Sequence, residues 1–138
     1  MARRILYIVT EDWYFLSHRL PMARAAQSAG FEVHVAARIL DGAAAIEAEG
    51  FVPHRLSWNR GSISAFDSLS AVLHLRGLMR ELEPDIVHNV ALKPVLLGTI
   101  AGFGLNETAI VNSLTGMGAL FVHGGGASQV TRKLVVMA

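Results

Sequence analysis

The chain has 138 residues, no cysteine, 52% apolar and 17% charged residues, and a formal charge of +1. One domain fits that length, with a core that needs neither a disulfide nor a thiolate-bound metal. High hydrophobicity at near-zero net charge excludes disorder, and 12 basic against 11 acidic side chains leave no surplus for a nucleic-acid backbone.

In chain order, the first apolar run is Ile5 to Val9, flanked by Arg3 and Arg4 on one side and Glu11 and Asp12 on the other. It is too short for the apolar region of a signal peptide. A helix is predicted from Ser17 to Gly30, with Leu16, Leu20 and Ala23 on one side, Pro21 within its first turn and Gly30 at a left-handed C-terminal position. The second run, Phe31 to Ala37, leads to an alanine-rich helix over Gly42 to Glu49, closed by Gly50. After the third run, Phe51 to Leu56, comes the clearest helical pattern. Leu75, Leu78, Met79 and Leu82 fall at i, i+3, i+4 and i+7, and Pro84 stops it. Ile86 to Val90 is the fourth run, followed by a glycine-interrupted helix from Lys93 to Leu105. Ala109 to Leu114 is the fifth, and Ser128 to Ala138 reads as the start of a last helix.

The longest stretch free of Asp, Glu, Lys and Arg, Thr108 to Thr131, contains Asn112, Ser113, His123, Gln129 and a run of glycines. That is too polar for the roughly 20 apolar residues of a membrane span. The expected compartment is therefore the cytoplasm, with peripheral contact at the inner face of the cell membrane left open. Short apolar runs alternating with helices, without an Asn-Gly hairpin, predict α/β architecture. The specific expectation is a single Rossmann-like, doubly wound parallel sheet of about five strands in the order 3-2-1-4-5, with helices on both faces.

Ligands of such sheets bind beyond the carboxyl ends of the strands. Glu11, Asp12, Trp13, Tyr14 and His18 follow the first strand, His88 and Lys93 belong to the fourth, and Ser113, Thr115, Gly116 and Gly118 to the fifth. Each has an ordinary reading beside the functional one. Glu11 and Asp12 can cap a helix, His88 can be a bonded core histidine, Lys93 a solvated first-turn lysine, and the Trp13–Phe15 aromatics either core or a greasy acceptor surface. There is no Gly-x-Gly-x-x-Gly after the first strand, no Walker loop and no Gly-x-Ser-x-Gly elbow. The six histidines include no His-x3-His pair, so no metal is expected. A receiver-like regulatory domain shares the fold, but the third strand ends in Leu56-Ser57-Trp58-Asn59, without an aspartate to phosphorylate.

The segments TEDWYFLSHRLPMARAAQSAGFEVHVAAR, DIVHNVALKPVLLGTIAG and VNSLTGMGALF, in this order, resemble the N-terminal half of bacterial family 4 glycosyltransferases of the capsule, O-antigen and lipid-linked glycan type. The resemblance implies a GT-B enzyme, in which two Rossmann-like domains face each other across a cleft. The N-terminal domain mostly holds the acceptor; the other binds the nucleotide-sugar through a region with a Glu-x7-Glu motif that this chain lacks. It implies transfer of a hexosyl or N-acetylhexosaminyl group, with retention, from a nucleotide-sugar co-substrate to a glycan or lipid-linked acceptor, and no further cofactor. Residues 1–138 are then the acceptor-side domain, expected to be inactive alone and to self-associate through its exposed inter-domain face. By position, His88 is the catalytic candidate near the transferred sugar. Glu11, Asp12, His18, Arg19 and Lys93 are substrate-binding candidates, and Thr115, Gly116 and Gly118 match a Thr-Gly-Leu-Gly turn with Met117 in place of leucine. Glu11-Asp12-Trp13 stands where many members carry a glycine pair. The alternative reading is a non-catalytic α/β module that binds a sugar or nucleotide.

Overall fold

A computed structural model describes residues 2–58 and 65–115. Five strands, β1 (Arg3–Glu11), β2 (Phe31–Arg38), β3 (Val52–Arg55), β4 (Ile86–Val90) and β5 (Ala109–Ser113), form one sheet in the order β3-β2-β1-β4-β5. Every pairing is parallel. The expected order and fold class therefore hold. The helices are α1 (Asp12–His18), α2 (Leu20–Ser28), α3 (Ala43–Ala48), α4 (Ala65–Leu82) and α5 (Leu92–Ala101).

The central strand is buried on both faces, as its unbroken apolar run requires. Ile5, Tyr7 and Val9 join Val33, Val35 and Ala37 in one cluster that takes in Phe15, Ala23 and Ile46 from α1, α2 and α3. Leu6 and Ile8 join Ala36 and Val87 in the other, closed by Leu75, Leu78 and Met79 of α4 and Ala101 of α5. Side chains of a strand alternate between faces, so these two clusters are the two sides of one sheet.

Two of the expected helices differ from the observed ones. The helix expected over Ser17 to Gly30 is two helices, one beginning at Asp12 and one ending at Ser28, broken at Arg19, which has φ −117°. Pro21 is the cause: it lacks an N–H, and its ring clashes with the carbonyl four residues back, so it is tolerated only in the first turn of a new helix. The helix expected to run on to Leu105 stops at Ala101, where Gly102 caps it. The α4 helix begins at Ala65, ahead of its buried segment, and ends as expected before Pro84, with Glu83 in the left-handed region at φ 47°. The helix expected at Ser128 to Ala138 lies outside the described residues.

Among the described residues no helix is long and apolar enough to cross a membrane.

Candidate functional site

Because the strands are parallel, the carboxyl ends of β1, β4 and β5 lie at one edge of the sheet. Glu11 passes directly into α1 there, so the α1 side chains stand beside the ends of β4 and β5. The ring of Tyr14 stacks on His18, with centroids 4.6 Å apart and planes 17° apart. The Tyr14 hydroxyl hydrogen-bonds the Thr115 side chain, which, with a further bond and charge from Arg19, holds the phenol below its usual range despite burial.

His88 is buried at the same edge. Its Nε2 lies 2.7 Å from Ser113 Oγ, and its ring packs 5.3 Å from that of Tyr7. Burial lowers its pKa, and the positive charge of Arg19 lowers it further. The imidazole is therefore neutral at pH 7, able to accept a proton or a hydrogen bond. Arg19 Nε is buried with no hydrogen-bond partner among the described residues, in a region where burial also raises the Tyr7 phenol. The structure thus gathers Tyr14, His18, Arg19, His88, Ser113 and Thr115 around one edge.

Asp12 takes a different part from the substrate contact expected of it. It is fully buried, and Oδ2 accepts the backbone N–H groups of Leu40, Asp41 and Gly42 at 2.9, 3.2 and 2.7 Å, while Oδ1 accepts that of Trp13 at 2.8 Å. Its carboxylate ties the start of α1 to the turn before α3, and no surface of it is left for a ligand. Gly42 is needed for this approach, since a Cβ there would lie 2.8 Å from Oδ2.

Glu11 is buried too, and its Oε2 accepts a bond from Trp13 Nε1 at 2.9 Å. Of the three aromatics, Phe15 is core and Trp13 is exposed. Lys93, in the first turn of α5, places Nζ 5.5 Å from the centroid of Trp58. Burial lowers its pKa against the attraction of Asp67 on α4. Gly116 and Gly118 lie outside the described residues.

Tyr14 and Ser113 were expected on this ligand-binding edge, but with no role of their own. Tyr14 was legible as the i−4 neighbour of His18 on one helix face. Ser113 carried no signal of its own, since its partner His88 is 25 residues away and meets it only through strand pairing.

Residues 4–138 match the family model described as glycosyl transferase 4-like. The chain belongs to that family. None of the curated proteins matches this glycosyl transferase 4-like chain in sequence. Solved structures do match it. A glycosyltransferase from Rickettsia africae ESF-5 superposes with TM-score 0.63 at 14% identity, over 80% of this chain and 29% of that one. MurG of Acinetobacter baumannii gives 0.64 at 16% identity, over 94% and 39%. S. aureus MnaA, solved with UDP, gives 0.63 at 18% identity, over 96% and 35%. At such identities these likenesses show the fold, and the glycosyl transferase 4-like chain spans about a third of each of these structures.

Proposed function

We propose that this domain is the acceptor-holding half of a two-domain GT-B transferase. The complete enzyme moves a hexosyl or N-acetylhexosaminyl group from a nucleotide-sugar to a glycan or lipid-linked acceptor in cell-envelope polysaccharide synthesis, with retention. The observation that carries this reading is the convergence of His18, Arg19, His88 and Thr115 on one sheet edge in a chain of this family. Glycosyl transfer develops positive charge on the sugar and negative charge on the departing diphosphate, so it is served by positioned donors and cations rather than by a protein nucleophile. In this reading neutral His88 faces the sugar and the Arg19 guanidinium supplies positive charge beside it. Glu11, His18, Lys93, Thr115, Gly116 and Gly118 are assigned to the acceptor, and Asp12 holds α1 in place. The domain needs no metal or organic cofactor for this role.

His88→Ala in the complete transferase is expected to lower turnover about tenfold or more while the fold persists, in the range of lost acid–base or hydrogen-bonding assistance. Steady-state transfer to a lipid-linked acceptor, with circular dichroism as the folding control, measures it. Unchanged turnover removes His88 from the site.

The same reading puts the domain at the cytoplasmic face of the membrane. Phe66, Leu69 and Leu73 are 79%, 58% and 61% exposed and fall at i, i+3 and i+7 of α4. Exposed Arg80 continues the line along that face, while Arg76 is tied to the carbonyls of Ala101 and Phe103; an apolar stripe ending in a basic residue is suited to shallow docking on anionic lipid. Its first turn carries Asp67, whose charge acts on Lys93, so the apolar stripe begins beside the site. The domain is expected to float with vesicles containing anionic phosphatidylglycerol, and Phe66→Ser with Leu73→Ser to release it. Equal flotation of the double variant would sink the membrane assignment.

A further inference from the structure

Ser113 ends β5, directly across from Val90 in the β4–β5 register, and reaches back to His88. Its Oγ lies 2.7 Å from Nε2 of that buried ring. The serine is itself clamped, because its carbonyl accepts the backbone N–H of Ala91 at 2.9 Å. Ala91 has φ 80° and ψ 165°, a conformation that belongs almost entirely to glycine and persists in other residues only where the surroundings enforce it. One face of the imidazole is meanwhile packed by Tyr7. Ring plane and ring nitrogen are thus fixed by separate contacts, and a strained residue holds one of the two.

We propose that Ser113 is a positioning residue for His88: its hydroxyl occupies Nε2, so that Nδ1 is the nitrogen presented to a substrate hydroxyl. This deepens the reading of His88 as the group facing the sugar, and rests on it. A serine hydroxyl both donates and accepts, so it serves Nε2 in either tautomer of the neutral ring; what the bond fixes is the ring angle and the engagement of Nε2, which leaves Nδ1 as the nitrogen free for a ligand. Loss of the hydroxyl would release the ring angle and leave Nε2 without its partner.

The test is the nitrogen-15 spectrum of the His88 ring in the labelled chain at neutral pH. Ser113→Thr keeps a hydroxyl, whereas Ser113→Val has nearly the same shape without one, so comparing the two removes the bond while the β-branched side chain still suits a strand. The Nε2 shift of a hydrogen-bonded nitrogen is expected in the wild type and in S113T, and a displaced Nε2 shift in S113V and S113A. Wild-type ring shifts in S113V overturn the proposal. That failure is distinguishable from failure of the site reading: unchanged turnover in H88A would remove His88 from transfer yet leave the Ser113 bond visible in the spectrum.

Discussion

Gly98→Ala is expected to be among the most damaging single methyl additions in this domain, lowering stability by about 3 kcal/mol. Gly98 lies in α5 against the buried side chain of Asn89, and a Cβ there would sit on its Oδ1 and only 2.7 Å from its Cγ. Asn89 cannot withdraw cheaply, because Nδ2 donates to Asn112 Oδ1 at 2.9 Å and Asn112 Nδ2 in turn reaches Thr99 Oγ1 at 3.4 Å. The added methyl must either lift α5 off the sheet or break a buried amide ladder. Gly77 is the internal control. It lies in α4 with no atom within 4 Å of a Cβ, so Gly77→Ala is expected to stabilise by about 0.5–1 kcal/mol through helix propensity. Urea unfolding of the two variants measures both, and a wild-type midpoint for G98A would show that the α5 seat is looser than the structure states.

The second large effect is expected at Asp12. Asp12→Ala leaves the N–H groups of Leu40, Asp41 and Gly42 without their acceptor in a part-buried corner, at a cost of about 2–4 kcal/mol. Burial alone would raise the Asp12 pKa, but four backbone N–H bonds outweigh it and the net shift is downward. The sign follows from linkage. A carboxyl whose folded pKa lies below its unfolded value, about 3.9, stabilises fully at pH values above the unfolded pKa and loses that contribution as pH falls through the folded one. The stability gap between wild type and Asp12→Asn is therefore expected to be widest near pH 7 and to shrink on acidification below about pH 4. Urea midpoints measured across that range check it, and a gap constant with pH would contradict the assignment.

The spacing of apolar runs made the sheet legible before any coordinates, because strands buried on both faces must read as continuous apolar segments and right-handed crossovers leave few strand orders. Helix limits were less legible. The break at Arg19 depends on whether Pro21 opens a new helix or sits inside an old one, and local pattern does not decide that. At the site, His18 and Arg19 stood out through the family resemblance of the segment that follows the first strand. The work of Asp12 was invisible, since its partners Leu40, Asp41 and Gly42 lie 28 to 30 residues away. The asparagine ladder left a fainter trace. The runs Ile86-Val87-His88-Asn89 and Ile110-Val111-Asn112 each follow an Ile-Val pair with asparagine, and only strand register brings Asn89 opposite Asn112.

Strand β1 ends at Glu11 and helix α1 starts at Asp12, with a shift in the β1–β2 register between Ile8 and Glu11 just before the turn. No linker separates the two elements, so the elbow has no slack. A molecule pressing on Tyr14 or His18 therefore meets a lever whose heel is pinned through Asp12 to residues 40–42, and the displacement is handed on to the β2–α3 corner instead of dying out in a loop.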